Sequence, residues 1–237
     1  MKNKENPLLS ILFNLVLPVI ILKNGDIWLD GIIDNSSFEI PSLVLLVALA
    51  FPTGYFIYDW AKTKRFNFIS ILGFINVLLT GLIGIIGSKY GLSKNWYILK
   101  EGLIPLLIGV FLIASSKTKS PMLNALLYNE TIFNIQKINQ RLKTSDEDEI
   151  SKILQLSTYY VASAFFISSI LQFILGGIII TVDPGTPKFN DQVGTMTWVS
   201  YFVVLIPSFT MFGIGIYKII NGIKIITKLE INEILNK

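Results

Sequence analysis

The sequence predicts an all-α polytopic membrane protein, a transmembrane helical bundle with about six spans and a cytoplasmic amphipathic helix between spans four and five. Three observations predict it. The composition is 52% hydrophobic and only 15% charged, with a mean hydropathy of +0.61, which leaves too little polar surface to coat a water-soluble domain. The apolar residues arrive in runs of roughly twenty, the length a helix needs to cross ~30 Å of hydrocarbon. The Lys and Arg residues divide about three to one between alternate loops, the asymmetry that sets orientation.

The first run, Pro7 to Leu22, follows the basic start Met1-Lys2-Asn3-Lys4 and resembles a secretory leader. It lacks a small-x-small cleavage site, contains Asn14 and Pro18, and is followed by Lys23-Asn24-Gly25-Asp26, so a retained span is expected. The further runs are 41–60, 68–87, 96–115, 158–182 and 197–220. With the N-terminus inside, the inner set holds Lys62, Lys64, Arg65, Lys117, Lys137, Arg141, Lys218 and Lys224 among others, whereas the outer set is Lys23, Lys89, Lys94, Lys100 and Lys188. This places both termini in the cytoplasm and makes residues 1–237 a single integral membrane domain. Trp28, Trp60, Trp96 and Trp198 fall at or just beyond span ends, joined by Tyr90, Tyr97, Tyr159 and Tyr160, as an interfacial aromatic belt requires.

The long loop 117–152 is read as cytoplasmic. Leu123, Leu127, Ile132, Ile135, Ile138 and Leu142 recur at helical spacing against Asn129, Glu130, Asn134, Lys137 and Arg141. One amphipathic helix is expected there, either lying on the inner leaflet or packed beneath the bundle. Ser145 and the acids after it suit the start of a following helix, so the fifth span is expected to begin well inside the cytoplasm. Past the sixth span, Ile219, Ile220, Ile223, Ile226 and Leu229 predict that the helix continues into the tail.

With no histidine and no cysteine in the chain, imidazole bases, thiolates, disulfides and the usual zinc or haem ligands are unavailable to it. No metal or other cofactor is expected. Although the net charge is +4, the bases sit at helix ends and form no stripe with interleaved aromatics, so the expected partner is the lipid bilayer and not nucleic acid.

Ionisable and amide side chains inside spans are the candidates for function, because hydrocarbon penalises them. Glu101 and Lys100 lie deepest, within the fourth span. Adjacent helix residues point about 100° apart, so the two are expected not to pair directly and to need partners elsewhere. Asp59 lies at the inner end of the second span near Lys62, Lys64 and Arg65, which suggests an interfacial ion pair. Asn14, Asn76 and Gln172 are expected to hydrogen-bond between helices. Pro18, Pro52, Pro105 and Pro207 are candidate helix-break positions, since each removes a backbone donor.

The strings ILGFINVLLTG at 71–81, LKEGLIPLLIG at 99–109 and KTKSPMLNALLYN at 117–129 resemble an uncharacterised six-span bacterial membrane protein family related to intracellular septation protein A. LPVIIL at 17–22, YDW at 58–60 and FFISSILQFIL at 165–175 add to the likeness. The resemblance implies an inner-membrane protein of cell-envelope integrity or division, with other envelope membrane proteins as partners. It supplies no catalytic residues, and its recurring polar points match Asp59, Thr80, Gly81, Lys100, Glu101 and Pro105. The first functional expectation is therefore a non-enzymatic envelope protein. The second is a small-solute or ion transporter or channel with a polar path around Lys100 and Glu101. An intramembrane enzyme is disfavoured, because the predicted topology puts Asp59 and Glu101 toward opposite membrane faces.

Overall fold

A computed structural model describes residues 7–30, 39–63, 68–118, 121–130, 132–143 and 146–236. The protein is an all-α polytopic membrane protein. Six helical stretches among these residues are long and apolar enough to cross a membrane: Leu9–Leu29, Ile40–Lys62, Gly73–Tyr90, Asn95–Ser115, Glu147–Ile179 and Leu205–Thr227.

The helices are α1 (Pro7–Ile11), α2 (Leu17–Leu29), α3 (Ile40–Thr63), α4 (Phe68–Tyr90), α5 (Asn95–Ser115), α6 (Met122–Leu126), α7 (Ile135–Arg141), α8 (Glu147–Ile179), α9 (Pro187–Val203), α10 (Leu205–Thr227) and α11 (Ile231–Ile234), with a π-helical turn, Leu12–Val16, joining α1 to α2. The second and fourth spans match their expected limits within about two residues. The first runs to Leu29, not Leu22, because its terminal polar residues find partners on α9: Lys23 Nζ donates to Thr195 Oγ1 at 2.8 Å and to Asp191 Oδ1 at 3.2 Å. The fifth starts at Glu147, with Glu147, Asp148 and Glu149 in the first turn, where their charge complements the helix dipole. Ser145, the expected cap, lies outside the described residues.

The prolines act unequally. Pro52 and Pro105 do not break their helices, which run through them unbroken as α3 and α5. Pro18 follows the π turn; its missing N–H leaves Asn14 without the donor four residues on, and the wider turn forms there. Pro207 likewise has no N–H to offer Val203, and the helix is interrupted at Val204. That interruption moves the sixth span from the expected 197–220 to Leu205–Thr227.

Two compact units are present. The first comprises 1–102 and 171–203. In it α2 packs on α3 and α9, and α3 packs on α4. Leu22, Leu45, Ala48, Tyr97, Ile180, Phe189, Val193 and Met196 form its core. The glycines of α4 allow close approach: Gly84 receives the Leu45 side chain and Gly81 that of Leu49, so about one turn of α3 seats against small residues. Gly73 faces open space and takes no part.

The second unit comprises 103–170 and 204–237. Here the single amphipathic helix expected across 123–142 is replaced by α6 and α7. Asn134 ends any continuous helix by accepting a bond from Lys137 N at 3.1 Å, which starts α7 afresh. Leu123, Leu127, Phe133 and Ile138 are buried within the unit, so these apolar side chains serve internal packing. The tail does not continue α10: Lys228 adopts a left-handed conformation, φ 56°, and Thr227 Oγ1 accepts from Leu229 N at 3.3 Å. A capping box between Glu230 and Glu233 then starts α11.

The tail is tied to the loop at several points. Asn134 N donates to Ile234 O at 2.8 Å, Asn236 N to Ile132 O at 2.9 Å, and Lys137 pairs with Glu233 at 2.9 Å. The bond from Glu230 N, then the Lys137 ammonium, hold the Glu233 carboxyl below its ordinary value of 4.5. A depressed carboxyl stabilises the fold above its unfolded value and loses that contribution as pH falls through the folded one. Acidification below about 4.5 is therefore expected to weaken the attachment of α11, seen as reduced amide protection over residues 230–235. In a Glu233→Gln protein, protection there is expected to be weaker at neutral pH and insensitive to acid.

Candidate functional site

Asn76 and Thr80 stand four residues apart on α4, so they share one face one turn apart. On α5, Lys100 points at that face. Its Nζ donates to Thr80 Oγ1 at 2.7 Å, to Asn76 Oδ1 at 2.8 Å and to Glu101 Oε1 at 2.5 Å. An ammonium has three protons, and here each has an acceptor. The fourth neighbour is the Tyr97 ring, whose centroid is 4.8 Å from Nζ, a cation–π contact one helical turn below. Side-chain exposure is 4% for Lys100 and 12% for Glu101, so both charges are removed from solvent and lipid.

Lys100 and Glu101 do pair directly, against the expectation from their 100° separation. The angle describes where the side chains leave the helix, and the flexible four-carbon lysine stem sweeps far enough round to meet the carboxylate. Tyr97 is also displaced from its expected role. It is buried, not interfacial, and packs edge-on against Phe189 with ring centroids 5.5 Å apart. The four tryptophans, in contrast, are all exposed.

Other polar candidates lie apart from this cluster. Gln172 on α8 accepts from Ser200 on α9 at 3.3 Å, a bond between helices. Asn14 does not bond between helices; its amide donates to Ser10 Oγ within the same helical stretch at 3.2 Å. Asp59 is half-buried near the end of α3, while Lys64 and Arg65, two of its expected partners, lie outside the described residues. The structure thus brings together Lys100, Glu101 and Asn76, and adds Thr80 and Tyr97. The four-residue spacing of Asn76 and Thr80 was the signal for a shared polar face on the third span. Tyr97 stands three residues before Lys100, and only its position at the span end concealed it.

Pro105 has no N–H for the Glu101 carbonyl, so this backbone oxygen lacks its usual helical donor beside the charged pair. Gly102 follows Glu101 and lies close against the ring of Phe173 on α8. The cluster therefore ties α5 to α4, and the residue that follows it seats against α8. Among the described residues no group of three or more Asp and Glu is placed to hold a metal ion. No family model, curated protein or solved structure matches the chain.

Proposed function

We propose that this is a non-enzymatic protein of a bacterial cytoplasmic membrane, with both termini inside, that serves cell-envelope integrity or division through contacts with other membrane proteins. The observation that carries this reading is the saturated Lys100 ammonium. All three of its protons are taken by acceptors of the protein itself, which leaves no donor for a passing solute and makes the cluster a fastener between α4 and α5. The excess of Lys and Arg in alternate loops supports the orientation. The resemblance of the strings at 71–81, 99–109 and 117–129 to a septation-related family is what suggests the envelope role.

A second reading, a small-solute or ion transporter, is favoured by one observation: an ion pair and two polar side chains lie together inside membrane-spanning helices, one turn before Pro105. One pair of measurements separates the two. Cells lacking the gene are expected to show altered length or envelope sensitivity, restored by wild type and by Glu101→Gln wherever the variant accumulates normally. Purified protein in liposomes is expected to pass ions and small solutes no faster than empty vesicles. Flux by the wild type that Glu101→Gln abolishes at equal abundance would move the assignment to a transporter.

A further inference from the structure

Within the first unit, an apolar groove of about 400 Å³ runs between the start of the first span and the later half of the second. Its walls are Leu9 and Phe13 on one side and Ala50, Phe51, Gly54, Tyr55 and Tyr58 on the other. The α3 residues follow a spacing of three to four, so they form one stripe parallel to the helix axis for two turns, about 12 Å. Phe13 belongs to the π turn and lies 6.2 Å from the Phe51 ring and 6.1 Å from the Tyr55 ring, centroid to centroid. Gly54 forms the floor: a Cβ there would meet nothing within 4 Å. The volume falls in the range of ordinary small-molecule pockets, ~300–1,000 Å³.

The groove is built from membrane-spanning segments, so the medium that reaches it is hydrocarbon. Its shape, an open trough along the helix axis, matches an acyl chain aligned with its neighbours in the bilayer. One turn beyond its end, Lys62 places Nζ 3.5 Å from the Tyr58 hydroxyl and 5.5 Å from the Tyr58 ring centroid. Lys62 is exposed. We infer that this groove is a lipid site, holding one acyl chain of an anionic glycerophospholipid whose headgroup lies at Lys62. The aromatic stripe supplies the affinity for the chain, and the ammonium supplies the preference for a negative headgroup.

The test uses the full chain in nanodiscs of phosphatidylglycerol and phosphatidylethanolamine in equal parts, followed by native mass spectrometry of lipids retained on release. Wild type is expected to retain phosphatidylglycerol over phosphatidylethanolamine by about fivefold, the ~1 kcal/mol that one basic residue contributes beside an anionic lipid. Lys62→Gln should keep the lipid but bring that ratio to parity. Gly54→Leu, whose Cβ meets nothing within 4 Å and whose branched end projects into the trough, should lower retention of both lipids. Equal retention of the two lipids by wild type, or an unchanged lipid count in Gly54→Leu, would overturn the site. So would disulfide-linked dimers of Gly54→Cys, a variant whose only thiol lies in the groove, since these would seat a second copy there.

Discussion

Replacing Lys100 with methionine is expected to destabilise the protein by about 3–5 kcal/mol, the usual result of removing one member of a buried ion pair. The loss does not measure the strength of the pair. It arises because Glu101, with only 12% of its side chain exposed, is left as an uncompensated charge, and because Asn76 Oδ1 loses its donor. Thr80 suffers less, since its hydroxyl still donates to Asn76 O at 2.9 Å. The double variant Lys100→Met with Glu101→Met is expected to recover most of the stability, as apolar replacements of whole buried pairs commonly do. Reversible unfolding in mixed detergent micelles reads both quantities. A Lys100→Met protein within about 1 kcal/mol of wild type would remove the fastener from the argument.

The second large effect is expected at Gly102. Adding a single methyl there, Gly102→Ala, pushes a carbon into three atoms of the Phe173 ring, and overpacking of this kind costs about 1–3 kcal/mol. Because the clash is with one identifiable side chain, Phe173→Leu should suppress part of it. Gly177, also on α8, has open space where its Cβ would stand. There the same substitution should be neutral or gain up to about 1 kcal/mol, since alanine loses less backbone freedom on folding than glycine. Equal losses at both positions would mean that glycine itself, and not its fit to Phe173, matters.

How far the fold was legible depended on how each segment makes its backbone bonds. The second and fourth spans could be delimited closely because charges and tryptophans stand at their ends. The first span could not: Lys23 looked like a terminus, and only the distant Asp191 and Thr195 make it acceptable within a longer helix. The sixth shifted because apolar periodicity runs straight across Val204, whereas the missing Pro207 donor interrupts the hydrogen bonds. In the 117–152 loop the apolar spacing was genuine, but Asn134 caps a new helix where the pattern alone promised continuation. The same holds at Lys228, where a single left-handed residue ends α10.

At the candidate site, membrane burial singled out Lys100 and Glu101 from composition alone, as hydrocarbon tolerates few such residues. Their direct pairing was missed because helical angles were applied to side-chain tips. Tyr97 was missed as a ligand, and Thr80 entered only through the family resemblance, because neither is ionised at neutral pH in water and costly charges draw attention away from the groups that solvate them.

The adjacency of Lys100 and Glu101 also has an electrical consequence. A lone charge carried through the membrane field would change energy by about 2.3 kcal/mol per 100 mV. Opposite charges on neighbouring residues of one helix, bridged at 2.5 Å, travel together and sum to zero. Movement of that helix would transfer no net gating charge from this pair, and its conformational balance would be blind to the resting potential of the cell. The buried cluster thus gives the fourth span polar adhesion without making it a voltmeter.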